Sequence, residues 1–218
     1  MTRGPERPLS EVLAEPARRV DARLEQLLNE EIERWAGVDP ELRHPLTTLR
    51  STVLSGGKRL RPAFCFWSFV GRGGAPDDPG VIDAGAALEM LHAAALVHDD
   101  IIDGSARRHG LDTVHVQYAA RHARAGWRGD SARFGSGAGI LLGDVALVYS
   151  DRLLAAAPLA ARAVFDEARL EVNLGQGALG RPGHGPPVRA SSSSGGTETS
   201  ARAAWRRSSH LVTTTASR

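Results

Sequence analysis

Apolar residues recur at helical spacing along most of the chain, up to about residue 175. Leu24, Leu27 and Leu28, for example, lie three or four residues apart on one face of a helix. The same spacing predicts helices over residues 12–35, 46–54, 61–70, 81–103, 113–124, 139–157 and 159–175. Two stretches rich in Gly, 71–80 and 125–137, are predicted as loops. Because no strand-type alternation persists over a useful length, the pattern predicts an all-α fold, with the helices packed as a bundle.

The helical pattern stops at residue 176. Residues 176–218 are mainly Gly, Ser, Pro, Thr and Arg, and they hold six Arg but a single acidic residue, Glu198. Their formal charge is therefore +5, which leaves −3 for residues 1–175 within a whole-chain charge of +2. Since the basic excess belongs to this tail, it is only weak evidence for a nucleic-acid partner, and we expect none. The composition predicts a helical domain over 1–175 and a disordered tail over 176–218.

The remaining composition favours a cytoplasmic protein. The one cysteine, Cys65, lies in an apolar helical pattern, so no disulfide framework is possible and the thiol is expected to fill the core. The N-terminus is charged and lacks the apolar stretch of a signal peptide. We also expect no integral membrane segment, because no stretch is expected to reach the apolar length that a membrane span requires.

Carboxylates and an imidazole share one stripe of the helix predicted over 81–103. Asp99 and Asp103 are four residues apart and project side by side, and His92 lies two turns earlier on nearly the same face. Two like charges about 4 Å apart repel by roughly 4 kcal/mol at an effective dielectric near 20. A hard dication would relieve that repulsion, and Mg²⁺ typically takes one or two carboxylates together with substrate phosphates. The stripe, with Asp100 beside it, therefore predicts a magnesium site.

Basic residues flank the carboxylates on both sides along the chain. Before them, Gly56-Gly-Lys-Arg-Leu-Arg-Pro62 places three cations after a flexible backbone, and Lys58 is the only lysine in the protein. After them comes the pair Arg107-Arg108. Lysine supplies a compact point charge and arginine a planar fork that matches phosphate oxygens. The order of cations, carboxylates and cations suits a site that holds one diphosphate directly and another through Mg²⁺.

These motifs resemble those of the trans-isoprenyl diphosphate synthases, or polyprenyl synthetases. The family's Gly-Gly-Lys-Arg-x-Arg-Pro motif matches 56–62, and its first Asp-Asp-x-x-Asp motif matches 99–103. The following Arg pair is present, although His109 displaces the usual Gly. The resemblance continues through Leu-Leu-Gly-Asp at 141–144 and Glu-Val-Asn-Leu-Gly-Gln at 171–176. It implies a helical bundle of the isoprenoid synthase type, and geranylgeranyl-type synthases are the most similar.

The resemblance also implies roles for individual residues. Asp99 and Asp103 would hold Mg²⁺ on an allylic diphosphate, with Asp100 as a further catalytic carboxylate and Arg107 assisting at the phosphates. Isopentenyl diphosphate would be held by Lys58, Arg61, His92 and Arg108. The resemblance gives Arg59 no role of this kind. The reaction would be head-to-tail condensation to a longer polyprenyl diphosphate.

Product length in this family depends on side chains shortly before the aspartate motif. Ala94 and Ala95 occupy that region here, and Ala95 lies one turn before Asp99 on the same face. Small side chains leave a deep pocket, so the expected product is geranylgeranyl diphosphate or longer.

The family's second aspartate-rich motif is absent from the sequence, and the last Asp is Asp166. We therefore expect a C-terminally truncated fold, impaired catalysis and exposed apolar helix faces. Homodimers are the family habit, but half a fold is a poor basis for one. The abrupt change of composition at residue 176 suggests translation out of frame, with a genuine linker or interaction tail as the alternative.

Two other functions compete with this interpretation. His98-Asp99 with His92 upstream is reminiscent of an HD-type metal phosphohydrolase, but that class explains neither basic motif, and His98 is expected to be a packing residue. The other is a non-catalytic product, either a decayed fragment or a partner subunit of a complete synthase. The tail supports this second alternative, and the sequence alone leaves it open.

Overall fold

The structure is a computed structural model that describes residues 8–179. The chain divides into two compact units after Ala156. In the first unit the described residues form six α-helices, one turn of 3-10 helix (Pro40–Leu42) and a two-stranded hairpin. The α-helices are α1 (Leu9–Ala36), α2 (Arg43–Leu54), α3 (Leu60–Gly71), α4 (Pro79–Ile102), α5 (Val114–Ala125) and α6 (Ser131–Leu153). The strands are β1 (Arg107–Arg108) and β2 (Leu111–Asp112), which pair antiparallel. The prediction of an all-α fold is thus confirmed, and the small hairpin is its one addition in these residues.

Helix α4 is the central element of the first unit. It packs against α1, α3 and α6, and residues on all of its sides are buried. A helix that is apolar all round belongs in a core. By length and composition alone α4 could cross a membrane, but 61% of its apolar window is buried inside the protein. The expectation that no stretch reaches this apolar length was therefore wrong for α4, although its burial is that of a core helix.

Helix α6 begins earlier than predicted. The stretch 125–137 was expected to be a loop because it contains four Gly, yet α6 starts at Ser131 and is capped by the Asp130 side chain, which accepts a hydrogen bond from the Arg133 backbone N–H at 2.7 Å. The glycines at 135, 139 and 143 recur every four residues and share one face. A Cβ at Gly135 would lie 2.2 Å from the His115 carbonyl oxygen of α5. These glycines therefore permit close helix packing and do not mark a turn.

The second unit contains helix α7 (Leu159–Leu179) among the described residues. Within it, the Arg169 guanidinium lies 6.0 Å from the centre of the Phe165 ring, and Leu170 and Leu174 are exposed. The helix continues four residues past the end predicted at residue 175. The rest of the predicted disordered tail lies outside the described residues, so the division into 1–175 and 176–218 stays a prediction.

Candidate active site at the C-terminal end of helix α4

The three aspartates at the end of α4 differ in their surroundings. Asp103 caps the helix, and its backbone N–H donates to the Asp99 carbonyl at 2.8 Å. Asp103 is exposed and the Asp99 side chain is about one-third exposed, whereas Asp100 is buried. Asp99 and Asp103 are therefore the pair that solvent or a ligand can reach, as the four-residue spacing predicts.

Electrostatic repulsion acts on Asp99. Burial raises the pKa of its carboxyl group, and the neighbouring charges of Asp103 and Asp100 raise it further against the opposing effect of Arg108. The ionised form of Asp99 is thus disfavoured by its own surroundings. A cation placed against these carboxylates would favour the ionised form again. The raised pKa of Asp99 is therefore an observation that fits a magnesium ion at this place.

The same carboxylates do not enclose a metal by themselves. Among residues 8–179, no group of three or more His, Cys, Asp or Glu side chains is arranged to hold one. Asp99 and Asp103 can contribute oxygens from one side, so the remaining ligands would have to be water or phosphate, which is usual for Mg²⁺. The two carboxylates therefore fit a magnesium ion whose other ligands are water or phosphate.

The hairpin after α4 directs one arginine of the pair toward the aspartates. His109 and Gly110 form its two-residue turn, both with positive φ (51° and 83°), as a type I′ turn requires. Adjacent residues of a strand point to opposite faces. The Arg108 guanidinium accordingly lies 2.7 Å from Asp100 Oδ1 and 3.6 Å from Asp99 Oδ2.

Arg107 lies on the other face of the hairpin. Its Nη2 donates to the Gly110 carbonyl at 2.6 Å, its Nε lies 3.6 Å from Asp112 Oδ1, and its side chain is largely exposed. The structure therefore does not bring Arg107 to the aspartates. Asp100, in contrast, accepts a hydrogen bond from Arg108 and so orients that side chain.

The basic loop before α3 contains a buried arginine that the family resemblance had not assigned. Arg59 has φ 45°, in the left-handed region that glycine usually occupies, and its side chain is only 7% exposed. Its Nε donates to Asp21 of α1 (2.8 Å), Nη1 to Glu89 of α4 (2.7 Å) and Nη2 to the Val53 carbonyl of α2 (2.8 Å). Left-handed backbone costs a non-glycine residue about 1–2 kcal/mol. Three charge-assisted hydrogen bonds, worth about 1.5–3 kcal/mol each, outweigh that cost.

Glu89 is a second site residue that sequence reasoning missed. It is 3% exposed, and its two carboxylate oxygens face two different arginines: Oε2 accepts from Arg59, while Oε1 lies 3.6 Å from Arg61 Nη1. One signal could have found it. A glutamate in the middle of an apolar helix must be paired, because an isolated buried carboxylate is prohibitively costly.

His92 is surrounded by guanidinium groups. Burial lowers the pKa of His92 to about 3, and the positive charges of Arg61, Arg108 and Arg59 reinforce the shift. The structure therefore brings together three of the residues predicted for isopentenyl diphosphate, namely Arg61, His92 and Arg108. Lys58, the fourth, is exposed on the loop beside the buried Arg59. His92 is neutral at physiological pH and can donate or accept a hydrogen bond there.

The residues behind the aspartates pack against α6. His98 Nε2 lies 3.1 Å from the Ile140 carbonyl oxygen, and a Cβ at Gly143 would come within 2.2 Å of that nitrogen. His98 is thus a packing residue, as expected, and the metal phosphohydrolase alternative gains no support from it. Of the two predicted pocket residues, Ala94 is buried and Ala95 is partly exposed. Cys65 is only partly buried and is not one of the fully buried core residues, but burial raises the pKa of its thiol to about 11, which does not favour a nucleophile.

Comparisons with known proteins show which family and which relatives the chain resembles. The profile of the family described as "Polyprenyl synthetase" matches residues 43–179. A nonaprenyl diphosphate synthase of Mycobacterium tuberculosis is 35% identical over 160 residues, which cover 71% of this chain and 40% of that protein. A geranylgeranyl diphosphate synthase of Sulfolobus acidocaldarius is 52% identical over 64 residues, which cover 29% of this chain and 19% of that protein.

Solved structures show the same likeness. Geranylgeranyl pyrophosphate synthase of Corynebacterium glutamicum, in a complex with isoprenyl diphosphate and magnesium, superimposes with a TM-score of 0.69 at 36% identity. The match covers 75% of this chain and 49% of that one. The chain thus spans half or less of the length of these relatives. The family match ends at residue 179, three residues beyond the last motif recognised in the sequence.

Proposed function

The chain belongs to the polyprenyl synthetase family, and from that premise we propose that its α4 site takes part in the condensation of isopentenyl diphosphate with an allylic diphosphate. One observation carries the proposal. The end of α4 combines two accessible carboxylates, one of which has a raised pKa, with arginines grouped around a neutral histidine. Such an arrangement is suited to two diphosphates, one of them bound together with a metal.

Asp99 and Asp103 would hold Mg²⁺ against the allylic diphosphate. Bound there, the ion would supply charge stabilisation to the departing diphosphate. Asp100 acts indirectly in this proposal, since its carboxylate accepts a hydrogen bond from Arg108 Nε at 2.9 Å. Arg107 is proposed for the same diphosphate, and to reach it the side chain would have to leave the Gly110 carbonyl and Asp112.

Lys58, Arg61, His92 and Arg108 would bind isopentenyl diphosphate. These four residues differ in their surroundings. Arg61 and Arg108 lie against carboxylates, His92 is neutral, and Lys58 is exposed. Together they would fix the phosphates and place the alkene next to the allylic carbon. The allylic carbon–oxygen bond breaks, a carbon–carbon bond forms to the alkene, and loss of a proton leaves the longer prenyl diphosphate and inorganic diphosphate.

Product length is proposed to depend on Ala94 and Ala95. Both side chains are small, and Ala95 is one turn from Asp99 on the same face of α4. A product of geranylgeranyl length or longer follows from this. In an active, full-length version of the protein, Ala95→Phe should shorten the product of prenyl elongation, and an unchanged product would rule out this pocket floor.

Binding of isopentenyl diphosphate to the purified chain tests the proposal. We expect Lys58→Met and Arg61→Met each to weaken binding about tenfold or more, because each removes a charge-assisted contact. Arg133→Met removes an exposed cation at the start of α6 and should leave the affinity unchanged. Equal affinities for all four proteins, or no binding by the unaltered chain, would overturn the assignment of the basic site.

Three expectations stay predictions: weak turnover by this chain, failure of this chain to form the homodimer that is the family habit, and a cytoplasmic location. Prenyl elongation by the purified chain with Mg²⁺ measures the first. Sedimentation of the purified chain measures the second. The coding DNA around codon 176, translated in all three frames, tests the predicted change of frame.

A further inference from the structure

We propose that Arg59 and Glu89 are positioning residues, which hold the loop of residues 56–59 and Arg61 in the geometry that receives a diphosphate. The inference rests on the proposed function. It goes beyond it by assigning a task to two buried residues that would themselves touch no substrate.

The first argument is the way in which Arg59 is bound. Each kind of guanidinium nitrogen has its own acceptor, and the three acceptors belong to α1, α2 and α4. The loop contains two glycines with positive φ, Gly56 at 104° and Gly57 at 137°, and a Cβ at either would meet no atom within 4 Å. Such a loop has few contacts of its own. Arg59 is the residue that fixes it to three helices at once.

The second argument is the shared carboxylate of Glu89. Glu89 Oε2 accepts a hydrogen bond from Arg59, whereas Oε1 is buried, accepts no hydrogen bond from the described residues and lies 3.6 Å from Arg61 Nη1. One buried carboxylate therefore sets the positions of two neighbouring cations. Arg61 thus lies against the same carboxylate that accepts a hydrogen bond from Arg59.

The third argument is that neighbouring side chains of the loop differ in exposure. Arg59 turns inward and is 7% exposed, while its neighbour Lys58 is exposed. Left-handed backbone at Arg59 separates the two side chains in this way. The strain is located at the residue between the two predicted diphosphate ligands, Lys58 and Arg61, where a change of conformation would move both of them.

Glu89→Gln is the sharpest test, because glutamine keeps an oxygen for Arg59 but presents N–H groups toward Arg61. The matched control is Glu31→Gln. Glu31 is similarly buried and similarly bonded, with Tyr149 and Arg152 as partners, but it joins α1 to α6 at a different place. A third variant, Arg59→Gly, keeps the left-handed backbone free of strain and removes the guanidinium.

We would measure three quantities for each variant: the affinity for isopentenyl diphosphate, the melting temperature, and hydrogen exchange of the segment 55–62. Glu89→Gln and Arg59→Gly should bind isopentenyl diphosphate at least about tenfold more weakly and exchange the loop amides about tenfold faster. Glu31→Gln should lower the melting temperature and leave both loop quantities unchanged. A purely structural role would instead make Glu89→Gln and Glu31→Gln alike in all three, which would overturn the proposal.

The two proposals fail in different ways. If the unaltered chain binds no isopentenyl diphosphate, the proposed function fails, and hydrogen exchange still decides whether Arg59 and Glu89 hold the loop. If the chain binds and Lys58→Met weakens binding while Glu89→Gln and Arg59→Gly do not, the diphosphate site stands and the positioning role is refuted.

Discussion

Two charged regions lie along helix α4, and they differ in how completely their charges are paired. Around Glu89, Arg59 uses all of its nitrogens and is almost fully buried. At the C-terminal end of the helix, Asp103 is exposed and the pKa of Asp99 is raised by burial and by its neighbours. In the first region the carboxylate of Glu89 and the guanidinium groups lie against one another within the protein itself. In the second, Arg108 offsets the repulsion between the carboxylates only in part, and an added cation would relieve the rest, which is the difference expected between a scaffold and a binding site.

The largest effect should follow from breaking the paired region. Glu89→Ala leaves Arg59 and Arg61 without their shared carboxylate, and breaking a buried ion pair typically costs about 3 kcal/mol or more. Urea unfolding measures the loss. The exposed pair Arg43–Glu33 supplies the control, since Glu33→Ala should change stability little. A small effect for Glu89→Ala would mean that the pairing around Arg59 is not what holds this region.

A smaller loss should follow from disturbing the helix behind the aspartates. Gly135→Ala puts a Cβ 2.2 Å from the His115 carbonyl oxygen, and such overpacking costs about 1–3 kcal/mol. Gly137→Ala is the matched control: no atom lies within 4 Å of its Cβ position, so helix propensity alone should make it neutral or more stable by up to about 1 kcal/mol. If the two variants unfold at the same urea concentration, close packing of α6 on α5 is not what fixes α6.

His92 lies between the two regions, and it should affect how the stability of the chain depends on pH. Its pKa is lowered to about 3 in the folded chain, whereas the ordinary value is 6.5. Between these limits the unfolded chain binds a proton that the folded chain does not, so this residue makes stability rise with pH, by at most about 1.4 kcal/mol per pH unit.

His92→Gln should remove that component, and the difference between the two proteins cancels the contributions of other groups. Unfolding free energies from pH 4 to 7 give the comparison. The variant should show the shallower rise with pH. Parallel curves would mean that burial and the surrounding guanidinium groups do not hold His92 neutral.

The smallest effect is expected at the C-terminal end of α4. Asp103→Asn removes an exposed charge that raises the pKa of Asp99, and stability should change by only a few tenths of a kcal/mol, in the direction of a more stable chain. Thermal unfolding without added metal tests this. A clear loss of stability would contradict the view that Asp103 is present for binding and not for the fold.

Local patterns predicted those parts of the site that depend on spacing within one element. The four-residue interval from Asp99 to Asp103 fixes a shared face as soon as the segment is helical. The arginine pair was predicted correctly as a basic element, but the strand that carries it was missed. That strand separates Arg107 from Arg108 onto opposite faces, which spacing on a helix or a loop does not predict.

Contacts between elements that are distant in the sequence could not be predicted from the local pattern. Arg59 gains its place from Asp21 and Glu89, which are 38 and 30 residues away. The glycines of α6 indicated a loop because glycine is a poor helix former, yet packing against α5 and α4 decided the structure. In both cases tertiary contact overrode local preference.

Magnesium-dependent binding of an allylic diphosphate to the purified chain tests the central claim most directly. The unaltered chain, Asp99→Asn, Asp103→Asn and the loop control Asp77→Asn would be titrated with farnesyl diphosphate, with and without Mg²⁺. We predict that Mg²⁺ strengthens binding in the unaltered chain and in Asp77→Asn, and that either aspartate variant at α4 loses this gain without a fall in melting temperature. Binding that does not depend on Mg²⁺, or that is unchanged in both α4 variants, would contradict the claim that these carboxylates bind a metal-bound diphosphate.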